Sequence, residues 1–148
     1  MPRLEFRLPL PGVAQRAIWD FHRDPAALLV LTPPDKKIAV LEAPAEMGRG
    51  ARVVFRVTQF GVSLRWVSLI EAWDPPRGFV DVQETGPFAR WRHEHVFEEG
   101  LLVDRIDYEV PLARLGGRLA DHVVVRPDIE RMFAYRHLVT TAALLPKR

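Results

Sequence analysis

The stretch GGRLADHVVVRPDIERMFAYRHLVTTAALL, residues 116–145, decides the fold. It is the one segment long enough and periodic enough to form a single long amphipathic helix. At a step of about 100° per residue, Ile129, Met132, Phe133, Arg136, Thr140, Ala143 and Leu144 share one stripe, which Val125, His122 and Leu115 continue backwards. Pro127 offers no backbone donor. A kink or break is therefore expected between residues 123 and 128, costing roughly 3 kcal/mol if the proline lies in a true helix interior. Nearly everything before Leu112 alternates with the period of antiparallel strand. One long helix after one long antiparallel sheet predicts a helix laid across a curved sheet, with a core or a cavity between them.

Working outward from the helix, the strands read clearly. Leu4, Phe6, Leu8 and Leu10 share one face of the first, Arg3, Glu5 and Arg7 the other, and Pro9 and Pro11 mark it as an edge or ending strand. Residues 14–22 predict a short helix. Asp24-Pro25 then predicts a cap and first helical position for a second one over 25–31, which Thr32-Pro33-Pro34 stops. Six further strands follow, at 37–42, 51–59, 63–73, 79–84, 89–98 and 101–111, separated by turn residues at Met47–Gly50, Phe60-Gly61, Asp74–Gly78, Gly86-Pro87 and Glu99-Gly100.

Composition narrows the function. A chain of 148 residues with 48% hydrophobic residues reads as one domain, 1–148, with a real core. No apolar run suits a bilayer span and no leader precedes the first strand, so a cytoplasmic protein without stable membrane insertion is expected. The absence of cysteine excludes disulfides, thiolate metal sites and cysteine nucleophiles. Net charge is only +2, with acids and bases interspersed, which argues against nucleic acid as a partner. Neither a phosphate-binding loop nor a nucleophile elbow is present.

The residues Phe21-His22, Pro25, Leu31–Pro34, Arg65-Trp66, Pro75-Pro76, Phe79–Asp81, Gly86–Trp91, His93, His95, Phe97, Asp104, Tyr108, Leu115-Gly116 and Met132–His137 carry a resemblance across almost the whole chain. The sequence resembles the START-like superfamily of polyketide cyclases, dehydrases and lipid-transport proteins, in particular an uncharacterised ligand-binding branch. The resemblance implies an α+β helix-grip fold: a curved seven-stranded antiparallel sheet around a long C-terminal helix, with two short helices after the first strand. It also implies a small apolar or amphipathic ligand held between sheet and helix. Pro127 departs from the pattern expected of such a helix.

The residues themselves suggest where chemistry sits. On strand 89–98, Trp91, His93, His95 and Phe97 share one face, while Arg90, Arg92, Glu94 and Glu98 share the other, which must be solvated. A two-residue turn at Glu99-Gly100 pairs positions that sum to 199, setting Phe97 against Leu102, His95 against Asp104, His93 against Ile106 and Trp91 against Tyr108. His-x-His places two imidazoles on one face roughly 7 Å apart by strand rise. Polar cavity liners bonded to Asp104, Tyr108, Asp81 or water are the leading reading. A two-His-one-carboxylate metal site and general acid–base catalysis by His93, His95 and Asp104 are weaker ones. For 79–84 the alternation leaves two faces open, and the resemblance selects Phe79, Asp81 and Gln83 as inward. Arg136 on an apolar stripe needs a carboxylate, either Asp104 or Asp81 in an ion pair or a ligand's own anionic group.

The expected ligand site therefore comprises Trp66, Asp81, Trp91, His93, His95, Phe97, Asp104, Ile106, Tyr108, Met132, Phe133 and Arg136, with no metal and no cofactor. Binding, with transport or sequestration, of a small hydrophobic or amphipathic molecule is the expected function. A cyclase-, dehydrase- or hydrolase-type enzyme using a cavity histidine is the alternative. The third reading is a cavity-less structural or interaction module, with a homodimer among its partner states.

Overall fold

A computed structural model describes residues 2–111 and 120–146. The strands are β1 (Arg3–Pro9), β2 (Lys37–Glu42), β3 (Arg52–Gln59), β4 (Val62–Asp74), β5 (Gly78–Thr85), β6 (Arg90–Glu98) and β7 (Leu101–Glu109). Helices α1 (Gln15–His22) and α2 (Ala27–Leu31) follow β1, and α3 (Arg126–Leu144) closes the chain. The sheet runs β1-β7-β6-β5-β4-β3-β2, antiparallel throughout, with β1 and β2 as its edges. This is the curved seven-stranded sheet and long C-terminal helix of the helix-grip arrangement. No helix among the described residues is long and apolar enough to cross a membrane.

Local chemistry explains the boundaries. Proline has no donor for a ladder, so β1 ends at Pro9 on a sheet edge. Asp24 is not the cap of α2 that its sequence suggests: its Oδ1 accepts from Ala26 N at 2.9 Å within a turn at Pro25 and Ala26, and α2 begins only at Ala27, with Ala26 at its N-cap and no side-chain cap. Bulges between Ile70 and Ala72 on β4 and between Val40 and Glu42 on β2 add local bend. Gly78 adopts φ +147° and lies against β6, where a Cβ would sit 1.9 Å from the His95 carbonyl oxygen. Only glycine lets β5 enter the sheet there.

The long helix does not break at Pro127. A π-helical turn, Asp121–Val125, runs directly into α3, and Pro127 falls in the first turn of α3. In that position the missing donor costs little, so the proline is accommodated by a change of winding. The start of the expected helix, residues 116–119, and Leu115 lie outside the described residues. His122 and Ala143 are both exposed, so the apolar stripe narrows to Ile129, Phe133 and Thr140 as its buried members.

Two apolar cores lie at opposite ends of the sheet–helix interface. One gathers Leu4, Trp91, Ile106, Tyr108, Ile129 and Phe133. The other gathers Leu10, Val13, Ile18, Trp19, Phe97 and Leu102, with Leu144 packed on it. Along β6 the inward residues thus pass from one core (Trp91) through His93 and His95 to the other (Phe97). The helix follows the same sequence, from Phe133 through Arg136 and His137 to Leu144. The polar residues form a belt between two dry cores.

Candidate functional site

The β6–β7 register is the one that the two-residue turn requires. His95 pairs with Asp104, His93 with Ile106, Phe97 with Leu102 and Trp91 with Tyr108. Asp104 therefore enters the belt beside both histidines. His93 Nε2–H donates to Asp104 Oδ1 at 2.7 Å, and His95 Nε2–H donates to Asp81 Oδ2 at 2.6 Å. The second ring nitrogens lie further away: His93 Nδ1 is 3.8 Å from Asp81 Oδ2, and His95 Nδ1 is 3.8 Å from Asp104 Oδ1. Two carboxylates thus draw two imidazoles together, and the rings stack with centroids 3.6 Å apart, closer than their strand spacing alone would place them. Phe79 stacks on the far side of His95 at 3.9 Å. Phe79 and Asp81 consequently face inward, while Gln83 holds the Phe88 backbone through both its amide atoms.

The helix contributes through a residue that the sequence reading left out. His137 Nε2–H donates to Asp104 Oδ2 at 2.8 Å, so Asp104 joins β7, β6 and α3. The expected ion pair between Arg136 and Asp104 or Asp81 does not form: no carboxylate lies within 4.0 Å of Arg136 among the described residues. One helical step separates the two side chains, and it turns His137 toward Asp104 and Arg136 toward Phe133, over whose ring its guanidinium carbon lies at 5.1 Å. Arg136 Nε and His95 Nδ1 are buried without hydrogen-bond partners among the described residues. A buried donor left unpaired costs about 1–3 kcal/mol, which marks these two atoms as exceptions to be explained.

Electrostatics follow from this packing. Burial raises the Asp104 carboxyl, but the hydrogen bonds from His137 and His93 outweigh it and hold the group well below the usual carboxylate range. Asp81 is also lowered, burial being overcome by the His95 hydrogen bond and by His93 and Arg136 nearby. Burial and the adjacent His93 push His95 down and keep it neutral against the pull of Asp81 and Asp104. Burial likewise lowers Arg136, with Asp104 and Asp81 acting in the opposite sense.

His22, also missed as a site residue, sits at the end of α1 with Nδ1 2.8 Å from the Ile18 carbonyl and its ring stacked on Phe97. Burial drives it down to about 4. Its native pKa is below its unfolded value, so the unfolded chain gains a proton first as pH falls. Stability should therefore decline between about pH 6.5 and pH 4. Thermal melts across that range should show a shallower decline in His22→Gln than in the parent protein; an unchanged slope would remove His22 as a cause.

The sheet, α2 and α3 enclose a cavity of about 560 Å³. Of the expected site residues, Trp66, Asp81, Trp91, His93, His95, Asp104, Met132 and Arg136 line it, as do His22 and His137. Phe97, Ile106, Tyr108 and Phe133 do not, which corrects their assignment as cavity walls. Phe97 is covered by Trp19 of α1, and Phe133 is stacked on Phe6 at 4.9 Å. Ile106 is fully buried beneath Leu4 and Phe133 in the first core. Tyr108 donates its hydroxyl to Asp121 Oδ1 at 2.6 Å; burial and that bond raise its pKa.

Among the described residues, Asp81, His93 and His95 present ligand atoms within 4.8 Å of one another and could hold a cation. The Nδ1 lone pairs, however, lie at opposite edges of the stack, that of His93 toward Asp81 and that of His95 toward Asp104, rather than toward one point. Tetrahedral or facial coordination would require the stack to open and the His95–Asp81 bond to break.

No protein-family signature matches the sequence. No curated protein matches it either. Solved structures do. A Thermus thermophilus protein is 21% identical, with a TM-score of 0.67 over 95% of this chain and 97% of that one. A Chromobacterium violaceum protein is 12% identical, with a TM-score of 0.72 over 98% of each chain. Ginseng major latex-like protein 151 from Panax ginseng is 16% identical, with a TM-score of 0.69 over 98% of each. At these identities the likeness speaks for the fold alone, and that fold is the helix grip.

Proposed function

We propose that this protein binds a small, largely apolar molecule in the cavity between sheet and α3, with the ligand's polar end at the His–Asp–Arg belt. The observation that carries the reading is Arg136: a guanidinium lining an apolar-walled cavity, with a buried Nε–H that no group among the described residues accepts. Mostly apolar walls and a few convergent polar groups are the general design of small-molecule sites. A ligand oxygen reaching Arg136 would satisfy the orphan donor.

Charge bears on which oxygen. Asp81 and Asp104 are both lowered, and both already act on Arg136. An added carboxylate or phosphate would have to share the guanidinium with these two carboxylates. A neutral acceptor, such as a carbonyl or hydroxyl oxygen, meets the guanidinium without that penalty. Titration with the uncharged dye Nile red should give saturable fluorescence enhancement, lost when Ser68 on the cavity wall is enlarged to Trp. Equal enhancement by both proteins would place the dye outside the cavity and sink the proposal.

The second reading is catalysis, favoured by the orphan Nδ1 of His95. With Nε2–H held by Asp81, Nδ1 keeps a lone pair, the arrangement of a general base oriented by a carboxylate. It requires the ligand to reach that nitrogen, and His95→Ala should then abolish turnover while leaving Nile red binding intact.

A further inference from the structure

The turn between β3 and β4 carries a residue that strains the fold and gives it nothing in return. Phe60 and Gly61 form a two-residue hairpin turn between the paired residues Gln59 and Val62. Both have positive φ, 54° for Phe60 and 74° for Gly61. Asn suits the first position of such a turn; a bulky aromatic there is strained. Phe60 is also 89% exposed, so no burial offsets the strain. Strained, exposed aromatics persist where something outside the fold uses them.

Its surroundings say what that is. Phe60, Val62, Leu64 and Val124 are exposed and yet line the cavity, so the cavity opens at this rim. Gln59 Nε2 reaches Asp35, Lys36 reaches both Asp35 and Asp128, and Asp128 lies in the first turn of α3. That chain of contacts puts the hairpin tip and the π-helical turn, with its exposed Val123 and Val124, on one side of the molecule. On the outer face just behind the tip, exposed Arg56 and Arg65 stand directly opposite each other, and Lys37 is paired with Thr58 beside them. None of the three has an acidic partner within 4.0 Å among the described residues. Like charges opposite each other in a ladder are unfavourable unless a counter-charge is brought to them.

We propose that this rim docks on an anionic lipid surface, Phe60 entering the acyl boundary while Lys37, Arg56 and Arg65 meet the headgroups. An aromatic tip backed by unpaired cations is the chemistry of an interfacial anchor. The placement at the cavity opening rests on the ligand-binding reading above: an apolar molecule would pass between cavity and bilayer without crossing water.

Flotation with vesicles of phosphatidylcholine alone, and of phosphatidylcholine mixed with phosphatidylglycerol, tests this on the full chain. The protein should float with the mixed vesicles and lose that association as salt is added. Phe60→Asn suits the turn better and so should fold, yet it should lower partitioning by at least roughly tenfold. Arg56→Gln and Arg65→Gln should each weaken binding to the anionic vesicles roughly fivefold. Equal flotation of Phe60→Asn and the parent overturns the proposal, as does flotation of neither. Self-association that Phe60→Asn abolishes, with no flotation, assigns the rim to a second copy and overturns it too. The assay needs no cavity ligand. Nile red binding without flotation therefore rejects the docking alone, and flotation without Nile red binding rejects the cavity reading alone.

Discussion

Replacing Asp104 by Ala should destabilise the protein by about 3–5 kcal/mol relative to the parent, lowering the melting temperature on the order of 10 °C. Asp104 accepts from His93 on β6 and from His137 on α3, and no other described contact joins the belt across sheet and helix in this way. Its removal strands two largely buried donors and leaves Arg136 with one counter-charge fewer. Asp104→Asn should fall between the two proteins, since its single oxygen serves only one histidine. Because the Asp104 pKa is depressed on folding, its contribution is full above the unfolded value of about 3.9 and disappears as pH falls through the native value. Melting curves of parent and Asp104→Ala should therefore converge only in strong acid. Chemical denaturation at neutral pH checks the magnitude; a loss below about 1 kcal/mol would mean that the belt relaxes without Asp104.

Arg136→Met should have the opposite profile, with stability retained and binding lost. Methionine keeps the length of the side chain and its contact with Phe133, and it removes a buried donor that nothing accepts. A buried guanidinium without a hydrogen-bonded carboxylate carries a desolvation cost that methionine removes, and this offsets the weaker field left at Asp81 and Asp104. The hydrogen bond from a charged group to a ligand oxygen is worth enough that affinity for an oxygen-bearing ligand should drop roughly tenfold to a hundredfold. Affinity for a pure hydrocarbon should change little. Calorimetric titration of the two proteins with a long-chain ketone and the matching alkane separates these outcomes. A destabilised Arg136→Met with unchanged ketone affinity would make the arginine a structural counter-ion of Asp81 and Asp104.

Much of this site is legible in the residues, for reasons that also mark where reading stops. Alternation places Trp91, His93, His95 and Phe97 inward, and the short turn at Glu99-Gly100 leaves one register, so the neighbourhood of His95 and Asp104 follows from sequence. Period two says that a side chain points inward; it does not say whether the space it points into is filled. Phe97 meets Trp19 because α1 folds back onto β6, a tertiary contact with no local signature. Tyr108 finds Asp121 only because the π-helical turn passes over β7. On the helix the stripe identifies the buried side, yet neighbours 136 and 137 straddle its border, and only the position of Asp104 decides that His137 takes the carboxylate. His22 and Ile18, four residues apart on α1, carried a signal of the same kind: a polar ring one turn from a buried anchor. The β3–β4 turn was legible as a turn, but the sign of φ at Phe60, which makes that residue costly, was not.

If the cavity holds an apolar molecule whose polar end meets Arg136, that molecule should stay with the protein through purification. Native mass spectrometry of the full chain, purified without added ligand, tests it most directly. The expected spectrum contains a complex with an apolar, neutral-headed molecule, recoverable in an organic extract and absent from Ser68→Trp. The bare polypeptide mass in the parent protein, with nothing apolar in the extract, would contradict it.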